Sequence, residues 1–483
     1  MSTFKPLDGM RKKLHSTTGA YEGVVDQNGD TAFPAAALSA TDVAGAQALV
    51  SGAGNGLVPS RVDPNTGADV RAALQAEIDA LTPGKRLFLR AGEYLVGKDV
   101  SFNWCLKLAA NNTGIVGAGM GATVIKVIST APSSACVIRG DSLTAPFIAN
   151  LTVDGNNSRP GTNVLFEGEG INLKESIGAR LENVEARNTE QDGFDLDDAT
   201  GAVLIGCVAR DCWGNGYHLA GASTFGQQCV MTGCYSYGCG QERSGSDPFG
   251  EGYSIAGSGV LLQGCISVGD QRGFTVDGNG QLIGCYALDS GNGGTPDFGI
   301  RTLTNASAAI ISGCVVSRTV NATSATGIAV AVGNSVTVQG CTVRACGTGV
   351  QLGGTNNAVV DCTIVSPANQ GVLVSGAAGN WIVKGNMIRS PGHGVRAESA
   401  SGQIIGNVIA SPTEQGIDLR ADGITVLANR VLGGAKFGVR MFDGTVDNAV
   451  VCFNTLNATS GGVSTAGTGH TVAANVINGT YTA

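Results

Sequence analysis

Gly193-Phe194-Asp195-Leu196, Gly216-Tyr217-His218-Leu219, Gly252-Tyr253-Ser254-Ile255 and Gly273-Phe274-Thr275-Val276 repeat one pattern. Each is a glycine, a large apolar residue, a variable residue and a second apolar one. Strand side chains alternate between faces, so the apolar pair points into a core and the variable residue points out. The pattern extends upstream to Gly170-Ile171-Asn172-Leu173. Downstream it reaches Gly299-Ile300-Arg301-Thr302, Gly349-Val350-Gln351-Leu352, Gly394-Val395-Arg396-Ala397, Gly416-Ile417-Asp418-Leu419 and Gly438-Val439-Arg440-Met441. One short strand per fixed interval means a solenoid, with equivalent strands stacked about 4.8 Å apart.

A second signature interleaves with the first. Ile205-Gly206-Cys207, Thr232-Gly233-Cys234, Gln263-Gly264-Cys265, Ile283-Gly284-Cys285, Ser312-Gly313-Cys314, Gln339-Gly340-Cys341 and Val360-Asp361-Cys362 place a cysteine once per repeat. Asn386, Asn407, Asn429, Asn454 and Asn475 then take over that position, and the steps run from 20 to 31 residues. Stacked thiols followed by stacked amides make sensible internal ladders. The cysteines are therefore expected to be buried and unpaired; no CxxC pair with zinc spacing occurs.

Composition agrees with a chain of short strands and tight turns. Of 483 residues, 74 are glycine, with 5% aromatic, 14% charged and 43% apolar residues, enough to bury a core. The net charge of −8 opposes nucleic-acid binding, which needs a basic face. No run of 18 apolar residues predicts a membrane span, and Met1 to Gly19 lacks the apolar run of a secretory signal. The expected location is accordingly on a virion or outside the cell by a non-classical route, after cytoplasmic synthesis.

Residues 1–60 show no repeat and read as an anchor or extension. Residues 61–100 hold a helix within Ala68 to Leu81, with Val70, Leu74, Ile78 and Leu81 on one face, and a strand at Arg86 to Leu89. That helix is expected to cap the open end of the solenoid, which occupies residues 101–483. The fold class is all-β, a right-handed parallel β-helix with an N-terminal capping helix.

From about residue 65 the chain resembles the pectate-lyase-like superfamily. The resemblance rests on the helix Asp69-Val70-Arg71-Ala72-Ala73-Leu74-Gln75, the strand ending in Gly92-Glu93-Tyr94 and the coil pattern. Locally, Asp192-Gly193-Phe194-Asp195-Leu196-Asp197-Asp198 resembles the Tyr-Gly-Phe-Asp-Pro-His-Glu motif of mannuronan epimerases, which implies a catalytic position for Asp195. Asp192 stands where that family has tyrosine, Asp197 where it has histidine, and Thr152 where it has lysine. The superfamily also includes lyases, hydrolases and virus tailspikes, so the resemblance implies a fold more narrowly than a reaction.

The outward positions form columns. The variable position reads Asn172, Asp195, His218, Ser254, Thr275, Arg301; two residues on are Lys174, Asp197, Ala220, Ala256 and Asp277; before the glycine stand Glu169, Asp192, Asn215, Glu251 and Arg272. Acids, bases and a histidine thus gather between residues 169 and 301. Removing the proton beside a uronate carboxylate needs a cation, a base and an acid. Lys174, Arg272 or Arg301 would neutralise the carboxylate, and His218 or Asp195 would serve as base. Asp192, Asn172, Glu251 and Asp277 would contact the sugar. Asp195 with Asp197 or Asp277 would instead suit hydrolysis, and Asp197 with Asp198 would suit calcium. The loop Gly240 to Gly250 is a groove wall or plain surface.

Three functions remain open: a lyase or epimerase on an acidic polysaccharide, a tailspike or adhesin that binds glycans as a homo-trimer, and a purely structural solenoid. Polysaccharide is the expected partner in the first two.

Overall fold

The computed structural model describes residues 23–25, 31–34, 56–99, 101–128, 135–156, 168–219, 229–240, 250–255, 259–290, 298–303, 306–331, 333–376, 379–442, 444 and 446–482. From residue 56 onward they form a parallel β-solenoid of about 14 turns. A strand in one coil pairs in register with its counterpart in the next. Phe194 and Asp195 pair with Tyr217 and His218, which pair with Tyr253 and Ser254, and these with Phe274 and Thr275.

Both repeat signatures have a physical cause. The recurring glycine sits where coils approach closely: a Cβ at Gly216 would lie 2.7 Å from the Gly252 carbonyl oxygen and 2.4 Å from Ser236 Oγ. The large apolar residues stack inside, and the rings of Phe194, Tyr217, Tyr253 and Phe274 follow one another at 4.9, 4.8 and 4.6 Å, nearly parallel. These aromatics are core, not sugar platforms.

The residue ahead of each ladder cysteine turns a corner in the left-handed region, with φ of +59° at Gly206 and +60° at Gly340. Glycine adopts this without a Cβ clash. Inside the corner the thiols Cys207 through Cys362 are free and fully buried. The hydrogen bond to Cys265, followed by burial, pushes Cys285 up to about 12. A thiol raised in this way stays protonated and unreactive. The amides continue the ladder: Asn386, Asn407, Asn429 and Asn454 each donate from Nδ2 to the next asparagine's Oδ1 at 2.9–3.0 Å.

At the N-terminal end the helix spans Arg71–Asp79, shorter than the sequence suggests, with Leu74 and Ile78 buried. It lies over the strand Trp104–Lys107. The Gln75 amide donates to the Lys107 carbonyl at 2.9 Å and accepts from the Lys107 N–H at 2.8 Å, as a neighbouring strand would. The strand Leu57–Pro59 precedes the helix and pairs with Arg86–Leu89, so strand pairing already begins inside the segment read as non-repetitive. Further upstream only an antiparallel pair, Gly23–Val25 with Thr31–Pro34, is described. The other residues of that segment up to 55, residues 241–249, Ala220 and Ala256 lie outside the described residues. Among the described residues no helix is long and apolar enough to cross a membrane.

Candidate functional site

The variable positions form one continuous row across the coils. Register links Asn172, Asp195, His218, Ser254, Thr275 and Arg301 in that order. The row also runs upstream to Arg139 and Lys107, which the motif search missed because their strands lack the leading glycine. Only pairing register reveals them.

His218 is the centre of the arrangement. Its Nδ1 lies 3.3 Å from Asp195 Oδ1 and 3.6 Å from Asp192 Oδ2, leaving Nε2 for a substrate. Asp195 Oδ2 accepts from Asn172 Nδ2 at 2.9 Å, and Asp192 Oδ1 accepts from the Asn215 N–H at 2.6 Å. Burial works against a charge on His218. The hydrogen bond to Asp195, with the charges of Asp192, Asp195 and Asp197, outweighs it and raises the imidazole to about 9. His218 is therefore an imidazolium at neutral pH. It is suited to donate a proton or meet an anion, and not to act as the base that its position alone suggested.

Lys174 reaches Asp197 at 3.4 Å, and this pairing raises its pKa. Of the two acids proposed for calcium, Asp197 pairs with Lys174 and Asp198 is exposed. Among the described residues, the ligand atoms that converge, within 4.8 Å, belong to Asp192, Asp195 and His218. A mixed nitrogen–oxygen set is foreign to calcium, which takes oxygen ligands.

The remaining residues form a separate, buried group. Glu251 Oε1 accepts from Thr275 Oγ1 at 2.6 Å and from Arg301 Nη2 at 2.8 Å, and Arg272 Nη1 lies at 3.5 Å. Burial lowers the Arg301 pKa, only partly opposed by Glu251. Arg301 is three coils beyond His218, roughly 14 Å at about 4.8 Å per coil, and its side chain turns onto Glu251. Arg272 and Arg301 thus pair with Glu251, not with the acids that surround His218. They neutralise a carboxylate of the protein itself. Asp277 is half-buried at the end of its strand. Thr152, on a neighbouring strand row, is buried and donates to Glu185.

Comparisons with known proteins bear on parts of this chain. Residues 290–483, less than half of it, match the family described as periplasmic copper-binding protein (NosD). Among the described residues no group of three His, Cys, Asp or Glu converges in that stretch. Mannuronan C5-epimerase AlgE2 of Azotobacter vinelandii is 35% identical over 155 residues, 30% of this chain and 15% of that protein. The A-module of AlgE6 from the same organism superposes with a TM-score of 0.41 at 18% identity, covering 85% of this chain and 95% of that one. An N-terminal fragment of bacteriophage Phi29 gene product 12 gives a TM-score of 0.52 at 13% identity, covering 85% and 91%. This last likeness shows a shared fold.

Proposed function

We propose that the protein binds an acidic polysaccharide along the strand row and removes the proton beside a uronate carboxylate at Asp195 and His218. The observation that carries this reading is the convergence of Asp192, Asp195 and His218 with a histidine held in its charged form. The local identity to mannuronan epimerases supports it.

In this mechanism Asp195, oriented by Asn172, takes the proton from the carbon next to the carboxylate. Negative charge then moves onto the carboxylate oxygens, where His218 and Lys174 stabilise it. Asp192 keeps His218 charged. For elimination, the bond from the neighbouring carbon to the glycosidic oxygen breaks and His218 Nε2 gives that oxygen its proton. For epimerisation, His218 Nε2 gives its proton instead to the same carbon, on the face opposite Asp195.

The test is a screen of uronate polymers and neutral glycans. Ultraviolet absorbance detects the unsaturated uronate of elimination, and NMR detects inversion beside the carboxylate. Turnover of a uronate polymer that disappears in Asp195→Asn is the expected result. Glycan binding without turnover of any polymer would overturn it in favour of an adhesin.

A further inference from the structure

The same strand row carries a second cluster far from His218. Register continues from Arg301 through Ala329, Gln351 and Leu373 to Arg396, Asp418 and Arg440. Asp418 is fully buried, yet it accepts from Arg440 Nε at 2.8 Å and Arg420 Nε at 2.9 Å. The Phe442 ring, 45% exposed, lies 3.8 Å from the Arg420 guanidinium carbon and 4.8 Å from that of Arg440. One carboxylate and one ring therefore fix two guanidiniums side by side, while each arginine side chain keeps over a fifth of its surface exposed.

We propose that Arg396, Arg420 and Arg440 form a distal binding site for the carboxylates of an acidic saccharide lying along the row. The proposal rests on the acidic-polysaccharide reading above and extends it to a second place on the molecule. Five observations support it.

A guanidinium has five N–H donors and each of the two spends its Nε–H on Asp418, so the paired Nη groups remain to bind a carboxylate in bidentate fashion. Their orientation is already set, so little side-chain freedom is lost on binding. Among the described residues the two guanidiniums share the single carboxylate of Asp418, leaving that pair a cationic excess. Beside them Arg396 pairs through Nη2 with Glu398 at 2.5 Å, while its Nε and His393 Nδ1 are shielded from solvent without a hydrogen-bond partner, an arrangement that folding alone disfavours and functional sites retain.

The row between the two sites carries no charge that would repel the same ligand. Ser254, Thr275, Arg301, Ala329, Gln351, Leu373 and Arg396 occupy it between His218 and Asp418, and none is acidic. The eight coils separate the sites by roughly 38 Å at about 4.8 Å each. A polymer laid along the row would engage both, and the distal contact would hold it while the His218 site acts.

The experiment is calorimetric titration of the full chain with a mannuronate trimer, too short to span both sites, and with neutral mannotriose as control. Two trimers per chain are expected for the wild type, with binding weakened by salt. Arg420→Gln is expected to reduce distal affinity at least tenfold while Arg440 still pairs Asp418; Phe442→Ala, at an exposed position, should weaken it without touching that ion pair. Thermal melting establishes that each variant is folded. One trimer per chain, lost in Asp195→Asn and indifferent to Arg420→Gln and Phe442→Ala, overturns the distal site alone. One trimer lost in the distal variants but kept in Asp195→Asn upholds the distal site and overturns the His218 site. Absence of trimer binding overturns both.

Discussion

At the residue scale, the charge state of His218 is set by its neighbours rather than by its own chemistry. The raised value of about 9 means the imidazolium is present below that pH and is lost above it. Turnover that needs a proton from His218 should fall as pH rises through about 9. Asp192→Asn removes one of the charges that sustain the imidazolium, so the alkaline limb should move toward neutrality. Titrating the His218 ring by NMR in both proteins checks this independently of activity. An unmoved limb would show that another group limits the rate.

Asp270 offers a second titration, this one tied to stability. It is fully buried, accepting from Ser267 Oγ at 2.6 Å and from the Cys239 N–H at 2.7 Å, and burial pushes its carboxyl up to about 7. The folded state therefore holds this proton more tightly than the unfolded chain. Stability from Asp270 is complete below its ordinary range near 4 and declines as pH rises through about 7, by up to about 4 kcal/mol. Asn keeps the acceptor for Cys239 and offers a donor to Ser267. Asp270→Asn should be nearly neutral at pH 4 and stabilising at pH 8, measured by denaturant titration at both.

At the element scale, the two ladders differ in what they demand. The thiols make long contacts to carbonyl oxygens, such as 3.6 Å from Cys234 Sγ to Leu204 O, so each is mostly a small apolar filler. The asparagines are connected more tightly. Asn429 Oδ1 receives both the Asn407 N–H and the Asn407 amide, and its own amide reaches Ile404 O and Asn454 Oδ1. Asn429→Ala strands several buried groups at roughly 1–3 kcal/mol each. A loss of about 3 kcal/mol or more is expected, against about 1 for Cys285→Ala. Equal losses from the two changes in chemical denaturation would contradict this account.

At the scale of the whole molecule, a solenoid must end. At the N-terminal side Gln75 occupies the backbone groups of Lys107 as a further strand would, while Leu74 and Ile78 cover apolar surface. We infer that the helix protects this edge from pairing with another copy. Gln75→Ala should leave Lys107 unpaired and promote self-association, read as a shift to larger species by light scattering; a monodisperse variant with unchanged mass would refute the protective role.

Periodicity alone determined the coil, its inward apolar stack, the buried thiol ladder and the row that carries Asp195 beside His218. Those features are local in each repeat, and stacking multiplies them. The same reading supplied the cationic residues but not their partners. Arg272 and Arg301 belong to Glu251 because long flexible side chains choose among neighbours by distance and burial, which no spacing encodes. Lys107 and Arg139 entered the row only through strand pairing, because their strands lack the glycine that marks the others. The Arg420–Asp418–Arg440 cluster lay in plain sequence view at Asp418-Leu419-Arg420, yet its meaning depends on a contact with the following coil. The protonation of His218 likewise came from tertiary structure. Two carboxylates from one coil meet an imidazole from the next in a half-buried place, where weak screening makes their charges decisive.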